Sequence, residues 1–251
     1  PNAGANDATG PACAPNVFRS SFSNWQPNYP MGKVMFDAGH RNVATITWKY
    51  AAGIEQMVAF KEGFAKAGGN VVENLTLPFP EVEFQALITR IAQIKPDAVH
   101  AFFAGGGAVK FVKDYAAAGL DKSIPLYGAG FLTDGTLAAQ GAAANGIKTT
   151  LHYADNLDNP ANIAFLKAFK DKTQADLDVQ MVPWTAAKDK FTTSIAGNTT
   201  PDVAEVGTTW TPEFADAGAL ADLTAKVKAA KLDGDLVAGL KDAGTVDGKL
   251  Y

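Results

Sequence analysis

Residues 43–69 read VATITWKYAAGIEQMVAFKEGFAKAGG, and the fold turns on how they are read. VATITW is dense in β-branched residues, which suits a buried strand. A short polar loop holding Tyr50 comes next. Ile54, Met57, Val58, Phe60 and Phe64 then recur near helical spacing, with Glu62 and Lys66 four apart on the wet side. Gly68 and Gly69 stop that helix, and VVENLTL at 71–77 starts a second strand. Strand, helix and strand in succession predict a parallel βαβ unit. In open α/β sheets, ligands sit beyond the carboxyl ends of the strands. Tyr50 is therefore the first candidate ligand contact; a tyrosine incidental to a capping loop is the competing reading.

The same rhythm extends outward in both directions. Downstream, Phe84, Leu87, Ile88, Ile91 and Ile94 form a helical stripe that starts at Pro80 and Glu81 and stops at Lys95-Pro96. Residues 98–103 are almost wholly apolar, as in a parallel strand covered on both faces. Gly105, Gly106 and Gly107 lead into a helix carrying Val109, Val112 and Tyr115, closed at Gly119. PLYGAG at 125–130 and GIKTTLHYA at 146–154 read as strands around a short Ala-rich helix, and 162–172 as another helix. Upstream, 31–38 reads as a helix with Met31, Val34 and Met35 on one face, and His40 and Arg41 at its end. Residues 1–30 are loop apart from a strand-like piece at 17–20. Towards the C-terminus, DVQMVPW (178–184) and DVAEVG (202–207) are expected strands on either side of a helix over 186–196. Short helices are expected near Phe214 and over 220–230. The closing GKLY at 248–251 looks like the start of a strand, which gives the expectation of a truncated domain. The fold class is α/β with a doubly wound parallel sheet, or flavodoxin-like lobes.

Composition excludes several classes of function. The net charge is −4, and no Lys/Arg stripe offers itself to nucleic acid. No apolar run reaches the roughly 20 residues of a membrane helix. No segment resembles a signal peptide, as would also hold for a mature product. Cys13, the sole cysteine, is either a small apolar filler or the remnant of a pair. His40, His100 and His152 are far apart and lack ligand-spaced neighbours, so neither a metal nor another cofactor is implied. His100 lies within a strand and reads as a packed core residue. The glycines at 105–107 lack the third glycine of a dinucleotide loop, since position 110 is Lys, and no GK[ST] follows. They read as a tight βα turn. No nucleophile elbow and no acid/base carboxylate pair is evident, so nothing supports an enzyme.

What remains is a set of aromatic residues at expected strand ends: Trp25, Trp48, Tyr50, Phe103, Phe131, Trp184 and Trp210. Small-ligand pockets are mostly apolar and aromatic with a few placed polar groups. Sugars and aromatic rings both stack on such faces. Ordinary packing is the alternative for each residue taken singly.

Two resemblances bear on this set. NAGAN at 2–6, VFRSS at 17–21, WKYAAGIE at 48–55, AFFAGGG at 101–107, YGAGFLTDGTL at 127–137 and DNPANIAFLKAFK at 158–170 together resemble the second lobe of a type I periplasmic binding protein. That group carries leucine, branched-chain amino acids and aromatic acids to ABC importers. The resemblance spans about 1–173. It implies that Tyr50 contacts ligand and that Phe103 and Ala104 line the cleft. Amino-acid binders place a glutamate in the turn matched by YGAG, where this chain has Ala129. Burying an ammonium without a counter-charge is costly, so an aromatic or other organic acid fits better. From about Thr173, the stretch DLDVQMVPW through GTTWTPEFADAGALADLT resembles the first lobe of a type II, sugar-type extracellular solute-binding protein. That resemblance implies a sugar site bordered by Thr208, Thr209 and Trp210.

The resemblance switches family at one point, which gives the expectation of an engineered or recombined chimera, with segments 1–173 and 174–251 forming one extended sheet or two lobes. Each segment would supply half a cleft, so weak or lost binding of small molecules is expected. The competing expectation is a natural ABC-importer binding protein for an aromatic or other small organic acid, or a sugar. The parent families are periplasmic or extracellular. Expected partners are a small-molecule ligand, the importer of the parent proteins and, through an uncovered lobe face, a second copy.

Overall fold

The computed structural model describes residues 4–10, 22–153, 157–178, 180, 182, 184–207, 209–234, 236 and 238–251. The chain divides into two compact units, 1–183 and 184–251. In the first unit VATITW becomes strand β1 (Asn42–Lys49), buried along its middle six residues. It leads through Tyr50 into α2 (Ala51–Ala67) and on to β2 (Asn70–Pro78). Ahead of β1 lies α1 (Tyr29–Asp37). After β2 come α3 (Gln85–Ile94), β3 (Ala98–Phe102), α4 (Gly105–Ala117), β4 (Leu126–Ala129), the single turn α5 (Leu137–Gln140), β5 (Lys148–Thr150) and α6 (Pro160–Thr173). The five strands form one sheet in the order β2-β1-β3-β4-β5, and every pairing is parallel. This is a flavodoxin-like order, and its direction reverses between β1 and β3.

Because side chains alternate across a strand, β1 and β3 each serve two cores. Ala44, Ile46, Trp48, Val99, Ala101 and Phe103 face α3 and α4, where they pack with Phe84, Ile88, Ile91, Phe111 and Tyr115. Val43 and Ala98 face the other way, towards Met31, Met35, Phe60 and Phe64 of α1 and α2. Helix α1 lies close on α2 because both carry glycine at the crossing. A Cβ on Gly32 would come within 2.2 Å of the Phe64 backbone nitrogen, and one on Gly63 within 2.1 Å of the Tyr29 carbonyl. Gly107 packs α4 against Trp48 in the same way, with its Cβ position 2.4 Å from the indole.

Several expectations need correction. Helix α2 buries Met57, Phe60 and Phe64 but leaves Ile54 and Val58 exposed, with Gln56 buried in their stead. Val34 of α1 is likewise exposed. Gly105–Gly107 form the first turn of α4 and not a loop before it. The strand expected over 146–154 is only three residues long. DVAEVG is irregular and joins no sheet, so the expected extension of the parallel sheet past residue 173 does not come from it. Of DVQMVPW, residues 178, 180 and 182 carry no strand, and 179, 181 and 183 lie outside the described residues. Cys13 and the strand expected at 17–20 lie outside them too.

The second unit contains α7 (Trp184–Ala196), α8 (Thr211–Asp216), α9 (Thr224–Ala229) and α10 (Ala238–Ala243). It closes with an antiparallel pair, β6 (Thr245–Val246) and β7 (Lys249–Leu250). The strand-like GKLY thus has a partner. The turn between the two strands is Asp247-Gly248, both at positive φ, a pairing that suits a tight hairpin.

Candidate functional site

The strand order reverses between β1 and β3, and in open α/β sheets ligands are received at the carboxyl ends beside such a reversal. Tyr50 follows β1 and Ala104 follows β3. Each is the extended residue immediately before a helix, α2 and α4, and neither helix start has a side-chain cap. The first-turn N–H groups of both helices, together with the positive ends of their dipoles, favour an anionic or polar acceptor group at this edge. Tyr50 is half-buried, and burial pushes its phenol pKa up, so it stays neutral and can donate a hydrogen bond.

Aromatic rings run along the whole carboxyl edge, one at each strand end. Phe79 after β2 stacks on Tyr50 after β1, with centroids 4.9 Å apart. Tyr50 in turn lies parallel to Phe102, the last residue of β3, at 6.4 Å. Phe102 meets Phe131, just past β4, edge-on at 6.0 Å. Phe22 packs against Phe131 at 5.4 Å and stacks on His152, two residues past β5, at 4.3 Å. With strands about 4.8 Å apart, five of them make this ladder roughly 19 Å wide. Met57 and Ala129 fill the space behind it.

A buried polar network holds the segment that carries Phe22. On β3, His100 lies on the same face as Phe102. Its Nε2 pairs with Asn28 Oδ1 at 3.0 Å, and its ring stacks on Phe60 at 4.1 Å. Asn28 donates to the Gln56 side chain and to the Asn24 carbonyl. Asn24 and the backbone N–H of Asn6 both donate to the Glu55 carboxylate. Residues 4–10 and 22–28 are thereby tied to α2 and the centre of the sheet. His100 is a core residue, as its strand position predicts, and complete burial lowers its pKa to about 3.

The candidates read from sequence separate into groups. Tyr50, Phe131 and Ala104 lie at the carboxyl edge. Phe103 does not line a cleft: it is wholly buried, edge-on to Trp48 and Phe84. Trp48 is also core, its indole N–H donating to the Glu81 carbonyl. Phe102 is also buried, but strand alternation puts it on the opposite face, beside Tyr50. Ala129 has no exposed surface and backs the ladder. Trp25 is partly exposed, stacked on Tyr29 and bonded to Glu62. In the second unit Thr209 is exposed in a turn, and Trp210 precedes α8 and meets Phe214 edge-on. Thr208 lies outside the described residues, as does the side chain of Trp184. Sequence reasoning missed Phe22, Phe79, Phe102 and His152. For Phe102 the signal was available: His100, Phe102 and the polar Thr45 and Thr47 of β1 mark the face opposite the apolar core. Among the described residues no cluster of three or more His, Cys, Asp or Glu could hold a metal, and no helix is long and apolar enough to cross a membrane.

The sequence pattern of the family described as "Periplasmic binding protein" matches residues 1–188, three quarters of the chain. The chain belongs to this family, which is one of binding proteins and not of enzymes. A second pattern, "Bacterial extracellular solute-binding protein", matches residues 154–251. Among solved structures, the chain is 53% identical to a solute-binding protein of an ABC transporter from R. palustris, determined in complex with benzoate. That match has a TM-score of 0.60 and covers 70% of this chain and 48% of the other. Among curated proteins, the Leu/Ile/Val-binding protein homolog 6 of Brucella melitensis biotype 1 is 36% identical over 157 residues, or 61% of this chain and 40% of its own length. The diacetylchitobiose binding protein DasA of Streptomyces coelicolor is 35% identical over 85 residues, or 34% of this chain and 20% of its own length. The chain therefore spans about half the length, or less, of the relatives it matches.

Proposed function

We propose that the chain is a ligand-binding module of an ABC-importer solute-binding protein, and that its first unit receives a small aromatic carboxylate. The carrying observation is the aromatic ladder at the strand-order reversal, beside two uncapped helix starts. Rings stack on such a wall, and the helix ends favour the negative charge of an acid. Ala129, in the turn where amino-acid binders resemble one another in carrying a glutamate, leaves an amino acid's ammonium without a counter-charge, which is costly when buried. Tyr50 and Phe131 are the ring contacts, backed by the buried Phe102, and Ala104 borders the acid. The benzoate complex of the 53% identical relative supports the same class. The similarities favour a working binding protein over a scaffold that has lost its ligand. In this reading the parent protein docks on an importer outside the cytoplasm.

Calorimetric titration tests the assignment. Benzoate is expected to bind more tightly than leucine, and Tyr50→Ala is expected to weaken benzoate about tenfold, in keeping with the loss of one stacking ring and its hydroxyl. Leucine binding as tightly as benzoate, or a Tyr50→Ala protein that binds benzoate unchanged, overturns it.

A second reading concerns the join. The two family matches overlap over 154–188, and the boundary between the compact units, at 183/184, falls inside that overlap. This supports a chain assembled from pieces of two binding-protein families, with Thr208, Thr209 and Trp210 belonging to the sugar-type piece. If so, a fragment of residues 1–183 folds without the remainder.

A further inference from the structure

We infer that Glu55 is a positioning residue of the binding edge: through Asn24 it sets Phe22, and through Phe22 the ring of Phe131. The effect on ligand rests on the aromatic-carboxylate reading above; the placement of Phe22 rests on geometry alone. Residues 4–6 and 24–25 lie side by side as a strap. The Asn24 N–H donates to the Gly4 carbonyl at 2.6 Å, and the Trp25 N–H donates to Asn6 Oδ1 at 3.0 Å. A Cβ on Gly4 would come within 2.1 Å of Asn24 Oδ1, so the two segments approach as closely as backbone allows. Glu55, in the second turn of α2, fastens both segments. Its Oε2 accepts from Asn24 Nδ2 at 2.7 Å and from the Asn6 N–H at 3.1 Å. Hydrogen bonds to a carboxylate are about twice as strong as neutral ones. Asn24 is buried and stands two residues from Phe22, whereas the buried anchor Asn28 lies four residues further on.

Phe22 is where the strap meets the ladder. Its ring stacks on His152 at 4.3 Å, 17° from parallel, and packs against Phe131 at 5.4 Å. Phe131 thus has a ring on each side, Phe102 and Phe22, and losing the second loosens a ring that meets the ligand. The charge of Glu55 acts in the other direction. A carboxylate about one helical turn beyond Tyr50 repels an acid at this edge, so removing the charge alone would tighten binding. Weaker binding on removal is therefore the mark of positioning. Both bonds end on one oxygen. Glutamine also offers one acceptor oxygen, so it can hold the strap without the charge.

The test combines calorimetry with proton NMR of the His152 ring, on the full chain at about pH 8, where imidazoles are neutral. The Phe22 stack shields the His152 ring protons, and Phe22→Leu gives their unstacked position. Glu55→Ala is expected to move these resonances to the Phe22→Leu position and to weaken benzoate about fivefold, the size of one aromatic contact. Glu55→Gln should restore both. Added to Phe22→Leu, Glu55→Ala should weaken binding no further, because the two act in series. Asn24→Ala removes the same bond from the side of the strap; it is expected to match Glu55→Ala and replaces it if that variant does not fold. Unchanged His152 resonances, tighter benzoate binding in Glu55→Ala, or additive losses in the double variant overturn the inference. Failure of benzoate to bind the wild-type protein overturns the aromatic-carboxylate reading, and the His152 resonances still decide whether Glu55 places Phe22.

Discussion

At neutral pH the His100 imidazole is uncharged, because complete burial holds its pKa near 3, well below the ordinary 6.5. The unfolded chain takes up that proton as pH falls below about 6.5, whereas the folded chain does not. Stability from this group is therefore fully present above pH 6.5 and is lost as pH drops towards 3. The slope approaches about 1.4 kcal/mol per pH unit, so up to about 2 kcal/mol is lost between pH 7 and 5. Partial burial also lowers the pKa values of His40 and His152, which adds a smaller contribution of the same sign. Urea denaturation at pH 7 and 5 is expected to show this loss, and His100→Gln should flatten most of it; an unchanged pH slope in the variant would refute the assignment. Residue identity was only partly legible in the sequence. The strand position of His100 announced a core histidine, but the chain of Asn28, Gln56, Asn24 and Glu55 that serves it did not. Asn24 and Asn28 are four positions apart, but every other link spans 28 to 72 positions, and no local period reveals it.

Neighbouring glycines of one helix make opposite demands. In α4, a Cβ at Gly107 meets the Trp48 ring at 2.4 Å, whereas a Cβ at Gly106 meets nothing within 4 Å. Gly107→Ala is expected to destabilise the protein by about 1–3 kcal/mol through overpacking. Gly106→Ala is expected to stabilise it by about 0.5–1 kcal/mol through helix propensity and a less mobile unfolded chain. Denaturant midpoints of the two variants should move in opposite directions; shifts of the same sign would contradict the packing described. Elements with strong periodicity were legible: β1, β2 and β3 fall within a residue or two of their sequence bounds, while α3 ends where expected but starts at Gln85, past the Pro80-Glu81 start that the sequence suggested. Helix α2 was placed correctly but turned wrongly, since Ile54 and Val58 suggested a buried face that Gly53, Gln56 and Gly63 occupy instead. Gly63 meets α1 and Gly53 meets the end of β1 too closely for a larger side chain, and hydropathy cannot reveal this. The apolar alternation of DVAEVG suggested a strand that the second unit does not form, while the hairpin of β6 and β7 was hidden by its brevity.

On the scale of the molecule, the boundary at 183/184 predicts that residues 1–183 retain the five-stranded sheet and its aromatic edge when expressed alone. Such a fragment should show a cooperative thermal transition and keep the preference for aromatic acids; a fragment without a cooperative melt would refute the proposed independence. The fold class was legible because βα alternation is a long-range rhythm that local errors do not erase. The placement of Tyr50 and Phe131 at the carboxyl edge was legible because each directly follows a strand-like run in the sequence. Phe103 was expected at the cleft but lies in the core against α3 and α4, because a shift of one residue along a strand moves a side chain to the opposite face of the sheet.

The most direct test is a thermal-shift panel of benzoic and hydroxybenzoic acids, branched-chain amino acids and disaccharides. A ligand that binds the folded state raises the melting temperature in a concentration-dependent way. A saturable rise with aromatic acids, lost in Tyr50→Ala, is the predicted result. A rise with leucine or a disaccharide instead, or no rise with any of them, would contradict an aromatic-acid site at the carboxyl edge of this sheet.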